Sequence, residues 1–132
     1  MIKALLALLL QHRRLLLGLA LVWMALIFTI SAQPSIHVPD LFFQQDKALH
    51  SLLFGTLGFF LALLLMSDES RPTLWHVLLV GLLVMGYGGL DEYHQSFVPG
   101  RTPDFMDLLA DTFGGLVSAL LVMILLRRYA RR

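Results

Sequence analysis

Residues 89–115, GLDEYHQSFVPGRTPDFMDLLADTFGG, join two long apolar runs and hold five of the nine acidic residues of the chain. The five are Asp91, Glu92, Asp104, Asp107 and Asp111. A carboxylate at the centre of a membrane span costs about 2.5 to 3.5 kcal/mol on insertion scales, so these side chains should face protein, water or a cation rather than lipid. The stretch therefore predicts the connection between two membrane helices and, at the same place, a polar site.

The composition of the whole chain is that of a membrane protein. It is 58% hydrophobic and 14% charged, with a mean hydropathy of +0.76, whereas about a quarter of the residues of a soluble domain are charged. The length of 132 residues suits one domain. A net charge of +1 argues against a nucleic-acid partner, which requires a strongly basic surface. The absence of cysteine excludes disulfides and thiolate metal ligands.

Four apolar stretches are long enough to cross a bilayer as helices, for which about 20 residues are needed. They lie at about residues 15–32, 49–66, 74–90 and 105–126, and the third is the shortest. We therefore predict an all-α fold, in which residues 1–132 form a single integral membrane domain with four transmembrane helices in a compact bundle.

The distribution of Lys and Arg predicts the orientation, because their excess in short flanking segments marks the cytoplasmic side. With four spans, eight of the ten basic residues fall on one side. The eight are Lys3, Arg13, Arg14, Arg71, Arg127, Arg128, Arg131 and Arg132. Only Lys47 and Arg101 fall on the other side. Both termini are therefore predicted to be cytoplasmic, and the acid-rich stretch to lie on the outer face.

The first 14 residues, MIKALLALLLQHRR, form an apolar run that ends in a basic cluster and is too short to span a membrane. We expect this segment to be interfacial or a helical extension. The basic start and the small residues near Ala32 leave a cleaved signal peptide as the alternative.

Helical spacing places polar residues of the second and third spans at the same end of the bundle. Asp46 and His50 are four residues apart on one helical face, and Lys47 is three residues before His50. Where the third span ends, Asp91 is one helical turn from Gln95.

The connection to the fourth span has turn and capping signals. Pro99 and Gly100 suit the central positions of a type II turn. Thr102 is the predicted N-cap and Pro103 the predicted first helical residue. Asp104 would then lie in the first turn, where the helix dipole favours a negative charge.

Asp107 and Asp111 lie deeper in the fourth span, on a face that continues into Gly114 or Gly115 and Ser118. Small residues allow close helix packing in lipid. The glycines that suggest the third span as the packing partner are Gly86, Gly88 and Gly89.

The motifs in these three regions resemble the pattern of the VanZ-like family of small bacterial membrane proteins. The matching residues are Asp46, Lys47 and His50, then Asp91, Glu92 and Gln95, then Pro99, Gly100 and Arg101, and finally Asp107, Asp111 and Gly114 or Gly115. The likeness covers about residues 44–118, and its departure is Asp111, where many members carry Asn. It implies a multi-pass protein of the bacterial inner membrane, in a family associated with low-level glycopeptide antibiotic resistance, and it implies no particular reaction.

Three functions fit such a site. The first is binding or handling of the head group of an envelope lipid or lipid-like antibiotic, in which Lys47 and Arg101 contact an anion. The second is a divalent-metal-dependent membrane enzyme acting on an envelope lipid, and the third is proton- or ion-coupled transport. Oxygen ligands suit Mg²⁺, Ca²⁺ or Mn²⁺, whereas histidine shifts the preference toward zinc. Membrane lipids are the expected partners, and a divalent cation is the candidate cofactor.

The candidate residues divide by role. Ligand-binding candidates are Asp46, Lys47, His50, Asp91, Glu92, Gln95 and Arg101. Metal-binding candidates are Asp91, Glu92, His94, Asp107 and Asp111. Catalytic candidates are His50, Asp107 and Asp111.

Overall fold

The computed structural model describes residues 12–34, 44–67 and 71–130. They form four α-helices, namely α1 (Arg13–Ser31), α2 (Gln45–Met66), α3 (Leu74–Gln95) and α4 (Phe105–Ala130), and these residues contain no strand. Each helix is long and apolar enough to cross a membrane. The predicted all-α, four-span fold is confirmed.

The helices extend further into the polar motifs than hydropathy predicts. Helix α2 begins at Gln45 rather than near residue 49, and α3 continues to Gln95 rather than ending near residue 90. With 22 residues, α3 is not the shortest span, which is α1 with 19 residues. The polar last turn of α3 stays helical because protein groups bind its side chains, so low hydropathy there does not mark the helix end.

Hydrogen bonds between helix ends show that the four helices alternate in direction. At one end, Arg13 Nη2 of α1 donates to the Leu64 carbonyl of α2 at 3.2 Å. At the same end, Arg127 Nε of α4 donates to the Pro72 carbonyl just before α3 at 2.7 Å. The start of α1 and the end of α4 therefore lie at the same end of the bundle. Of the segment 1–14, predicted to be interfacial or a helical extension, residues 1–11 lie outside the described ones, His12 precedes α1, and Arg13 and Arg14 lie in its first turn.

Glycines bring α2 and α4 into close contact. A Cβ atom added to Gly58 of α2 would lie 2.7 Å from the Cα of Gly115 of α4. A Cβ atom on Gly114 would overlap the carbonyl oxygen of Ser51. Small residues thus let the two backbones touch, as is typical of helix pairs in lipid.

The predicted packing of α4 on the glycines of α3 is correct only in part. A Cβ atom on Gly88 would meet Asp111 and Leu108 of α4, but nothing lies within 4 Å of one on Gly86 or Gly89. Helical periodicity identified the small face of α4, but α2 occupies most of it.

The turn before α4 has the predicted form, whereas the predicted cap is wrong. Gly100 has φ 78, and the Arg101 amide donates to the Val98 carbonyl at 3.1 Å, which closes the turn. Helix α4 begins at Phe105, two residues after the predicted start at Pro103. Asp104 rather than Thr102 is the N-cap, because its Oδ1 accepts the amide of Met106 at 2.8 Å.

The outer surface of the bundle is strongly apolar. Large side chains from different helices are exposed, such as Val22 at 68%, Leu52 at 66% and Phe113 at 65%. An exposed apolar surface of this extent marks contact with lipid or another protein. Together with the four apolar helices, it describes a multi-pass membrane protein.

Candidate functional site

The buried polar side chains of the described residues collect at one end of the bundle. There the ends of α1 and α3 meet the starts of α2 and α4. The buried polar residues are Ser31, Asp91, Glu92, Gln95, Asp107 and Asp111. The largest fully buried side chains elsewhere, such as Leu16, Leu63 and Val122, are apolar.

Lys47 is the centre of an ion-pair cluster. Its Nζ lies 2.5 Å from Asp104 Oδ2, 2.5 Å from Asp107 Oδ1 and 3.0 Å from Asp46 Oδ2. An ammonium group has three N–H donors, so three carboxylates satisfy it completely. An external anion would have to displace one of these carboxylates to reach Lys47. The sequence spacing placed Lys47 near Asp46 but did not show that α4 supplies its other two partners.

Asp104 belongs to this cluster and lies outside the membrane-spanning helices. The hydrogen bond from Lys47, together with the amide of Met106, holds the pKa of the Asp104 carboxyl below its usual value. Asp104 was predicted as a residue favoured by the helix dipole. It also serves as N-cap and counter-ion.

His50 lies between two carboxylates of α4. Its Nδ1 is 2.9 Å from Asp111 Oδ1, and its Nε2 is 3.7 Å from Asp107 Oδ2. Asp111 is 0% exposed. If Asp111 is ionised it can only accept a hydrogen bond, so Nδ1 would be the donor to Asp111, and Nε2 lies on the side of Asp107. The structure thus brings together the three predicted catalytic candidates.

Glu92 approaches the same place from α3. Its Oε2 accepts the backbone amide of Asp104 at 2.7 Å, whereas its buried Oε1 has no hydrogen-bond partner. One ligand atom each from His50, Glu92 and Asp107 lie within 4.8 Å of one another. The helices α2, α3 and α4 therefore each place one possible metal-ligand atom, one nitrogen and two oxygens in all, close to the other two.

Asp91 and Gln95 form a separate contact that joins α3 to α1. Asp91 Oδ2 accepts hydrogen bonds from Ser31 Oγ at 2.8 Å and from Gln95 Nε2 at 2.9 Å. Ser31 was not predicted, because a serine that ends an apolar span gives no sign of its distant partner. This contact ties the end of α1 to the site.

His94 and Asp91, both predicted metal-binding candidates, are not part of the group of donors formed by His50, Glu92 and Asp107. The His94 ring stacks on Phe28 of α1, with ring centroids 4.2 Å apart. On the α3 helix, His94 therefore points toward α1, while Glu92 points toward α2 and α4.

Arg101 lies on the turn before α4 rather than in the carboxylate cluster. Its Nε donates to the Gln33 carbonyl at 3.2 Å, and with the described residues it forms no ion pair. Of the two basic residues predicted on this side of the membrane, Arg101 is thus the one that the described carboxylates do not bind.

Replacing Gly100 by alanine should test the turn that positions Arg101. We expect the free energy of unfolding to fall by about 1 kcal/mol, because φ 78 is unfavourable for a residue with a Cβ atom. Thermal unfolding in detergent measures the change. Gly86→Ala is the control, since nothing lies within 4 Å of its new Cβ atom and alanine favours the helix. Equal stability of Gly100→Ala and the unmodified protein would contradict the prediction.

Comparison with known proteins identifies the family. The model of the VanZ/LLP1 family matches residues 15–126, a range that contains nearly all of the four helices and the whole polar site. Searches of curated proteins and of solved structures each found no match. Because the family model covers most of the chain, the protein described above belongs to the VanZ/LLP1 family.

Proposed function

We propose that this membrane protein lies in the bacterial inner membrane and binds the head group of an envelope lipid, or of a lipid-like antibiotic, at the periplasmic end of its bundle. The orientation rests on the basic residues. Arg13, Arg14, Arg127 and Arg128 lie at the end of the bundle opposite the carboxylate site. An excess of Lys and Arg marks the cytoplasmic side, which supports a periplasmic position for the site.

The observation that carries the proposal is the position of a buried polar site beside exposed aromatic side chains. Tyr93, Phe97 and Phe105 are 68%, 69% and 67% exposed, and all lie at the site end of the bundle. Aromatic side chains concentrate at the membrane–water interface. These exposed aromatic side chains support a site at the depth of lipid head groups, next to the apolar surface of the bundle.

Arg101 is the proposed anion contact. A guanidinium group binds phosphate or carboxylate through two parallel hydrogen bonds. Lys47 already has three carboxylate partners. We assign Lys47 to holding the ends of α2 and α4 together, and Arg101 to the head group.

A groove beside the site offers a place for the lipid tail. It has a volume of about 270 Å³ and is lined by residues of α2 from Ser51 to Phe59 and by Ser118 of α4. It begins next to His50, since Ser51 is the following residue, and continues about two turns along α2. A tail lying there would keep its head group at the carboxylate end.

Ion-coupled transport has less support than head-group binding. A transported ion needs polar groups along its whole path. Among the described residues, the buried polar side chains occupy one end only, and the remaining buried side chains of the bundle are apolar.

Replacing Arg101 by alanine should weaken lipid binding by about 10- to 100-fold, the effect of losing a hydrogen bond to a charged group. Binding of short-chain phosphatidylglycerol to the purified protein in neutral detergent can be measured by native mass spectrometry. Arg71→Ala is the matched control, because it removes the same charge from an exposed position at the opposite end.

Arg101→Lys should bind the lipid with intermediate affinity, because lysine keeps the charge but loses the planar fork. Unchanged binding by Arg101→Ala, or an equal loss in Arg71→Ala, would show that Arg101 does not contact the head group.

A further inference from the structure

We propose that His50, Glu92 and Asp107 bind one divalent cation, and that Asp111 orients the histidine for this role. Imidazole nitrogen suits zinc and carboxylate oxygen suits manganese, so the mixed set favours Zn²⁺ or Mn²⁺ over Mg²⁺ and Ca²⁺.

The distances fit a shared ion better than direct contacts. His50 Nε2 and Asp107 Oδ2 are 3.7 Å apart, which is too long for a hydrogen bond. Ligand atoms about 2.0 to 2.2 Å from a tetrahedral ion lie about 3.4 Å from one another. The Glu92 ligand atom completes the triangle, in which all separations are at most 4.8 Å. Closing the site around a tetrahedral ion would shorten the longest of these separations by at most about 1.4 Å.

Asp111 supplies the support that metal-binding histidines require. A ligating histidine donates its other ring N–H to a carboxylate or a carbonyl, which sets its tautomer and orientation. Nδ1 lies 2.9 Å from Asp111 Oδ1, and in a neutral His50 that donates this hydrogen bond the lone pair of Nε2 is directed toward Asp107. Because Nε2 faces a carboxylate oxygen, either a proton or a cation must lie between the two atoms, and a metal ion bound by both meets this need.

Glu92 gives an independent indication of a cation site. The residue is 8% exposed, and its Oε1 is buried with no hydrogen-bond partner. Its Oε2 is held by the Asp104 amide. A buried carboxylate oxygen without a partner is costly, whereas coordination to a metal satisfies it.

The charge balance supports the same conclusion. Lys47 occupies Oδ1 of Asp107 and leaves Oδ2 on the side of His50. Among the described residues, six carboxylates lie at this end of the bundle, Lys47 forms ion pairs with three of them, and Arg101, also at this end, forms an ion pair with none of them. The six are Asp46, Asp91, Glu92, Asp104, Asp107 and Asp111. A dication bound by His50, Glu92 and Asp107 would reduce this excess of negative charge where the carboxylates are most deeply buried.

Three protein ligands leave at least one coordination position open. A phosphate oxygen of a lipid head group fits such a position, with Arg101 on another part of the same group. This bridging role rests on the proposed function, whereas the metal site itself does not. The alternative function, a metal-dependent enzyme acting on an envelope lipid, would require a divalent cation at the same site.

Titration of the metal-free, detergent-solubilised protein with ZnCl₂ by calorimetry, and with MnCl₂ by electron paramagnetic resonance, tests the site. We expect one ion per chain and a loss of affinity of more than about 100-fold in Glu92→Gln and Asp107→Asn, because altering an outer residue usually costs only about 10- to 100-fold. Asp104→Asn is the matched control, because it removes a carboxylate from the same end and keeps the helix cap. We expect a loss of at most about tenfold, the lower end of the effect of an outer residue, since Asp104 contacts Lys47 and is not a ligand.

Asp111 has a distinct expected behaviour, because it acts through His50. Asp111→Asn keeps an acceptor for Nδ1 and should retain the ion, whereas Asp111→Ala should weaken binding by about 10- to 100-fold. Equal losses in Asp104→Asn and Glu92→Gln, or the absence of saturable binding of either metal, would overturn the proposal.

A measurement on the unmodified protein avoids any dependence on the folding of variants. Pulsed electron paramagnetic resonance of bound Mn²⁺ should show coupling to one imidazole nitrogen, and X-ray absorption of bound zinc should show one nitrogen and only oxygen ligands besides. A bound ion without an imidazole ligand would overturn the assignment of His50.

Chelation separates the metal site from the lipid proposal. If EDTA abolishes phosphatidylglycerol binding, the bridging role is supported. If the ion binds and EDTA leaves lipid binding unchanged, the bridging role is wrong while both the metal site and head-group binding stand. If neither metal binds but Arg101→Ala still weakens lipid binding, only the metal site is wrong.

Discussion

Gly114→Val should destabilise the bundle by about 3 kcal/mol or more, near the upper end of the usual cost of overpacking. A Cβ atom at residue 114 meets the carbonyl oxygen of Ser51, a backbone atom that cannot rotate aside. The α2 and α4 helices would have to separate, and His50 would move away from Asp107 and Asp111. Thermal unfolding of the purified protein in detergent, followed by circular dichroism, measures the loss.

Gly86→Val is the matched control for this prediction. Both residues are helical, but nothing lies within 4 Å of a Cβ atom at residue 86. We expect the control to change stability by less than about 1 kcal/mol. A Gly114→Val protein as stable as the control would show that the two helices do not pack through this glycine.

Lys47→Met should cost about 1.5 to 3 kcal/mol at neutral pH, because it removes the charged partner of the mostly buried Asp107 carboxylate, whereas solvent reaches Asp46 and Asp104. Lys47 is 24% exposed, and its ammonium group is the shared partner of Asp46, Asp104 and Asp107. Methionine keeps much of the apolar stem, so the change isolates the charge. The free energy of unfolding in detergent and denaturant is the quantity to compare.

The effect of Lys47→Met should depend on pH in a defined direction. The pKa of Asp104 is held below its usual value in the folded protein, with Lys47 as the main cause. Its stabilising contribution is therefore present above the usual aspartate pKa of about 3.9 and is lost as the pH falls through the lower, folded value. The difference between the unmodified protein and Lys47→Met should shrink below about pH 4.

Arg14→Met controls for the loss of a positive charge. Arg14 is exposed in the first turn of α1, at the opposite end of the bundle, so we expect little change in stability at any pH. If the cost of Lys47→Met stayed constant down to pH 3, the packing of the lysine stem rather than its ion pairs would explain the effect.

The sequence motifs predict which residues of each helix lie on the face that forms the site. The spacing of Asp46, Lys47 and His50 predicted one face at the start of α2, and the spacing of Asp107 and Asp111 predicted one face of α4. The structure shows these two faces opposite each other, with Lys47 and His50 each bound to α4. Spacing within a helix identifies a face, because a helix repeats every 3.6 residues.

The partners of these faces could not be predicted in the same way. The contacts of Lys47 with Asp104 and of Ser31 with Asp91 join residues 57 and 60 positions apart. Asp104 rather than Thr102 is the N-cap of α4 because of the position at which the preceding turn ends and the helix begins. Such contacts depend on the relative position of helices, which a local pattern does not contain.

The sequence by itself determined that this protein has four membrane helices. It also determined the position of the polar residues that interrupt their apolar surface, and the family that the protein resembles. It could do so because lipid requires long apolar helices and makes buried carboxylates too costly to occur by chance. Only the tertiary structure decided that Lys47 contacts three carboxylates and that His94 faces α1. It also decided that ligand atoms of His50, Glu92 and Asp107 lie within 4.8 Å of one another. Those outcomes depend on which helix faces touch, and here the contact of Gly58 and Gly114 with the α4 and α2 backbones sets the separation of the two helices that carry most of the site.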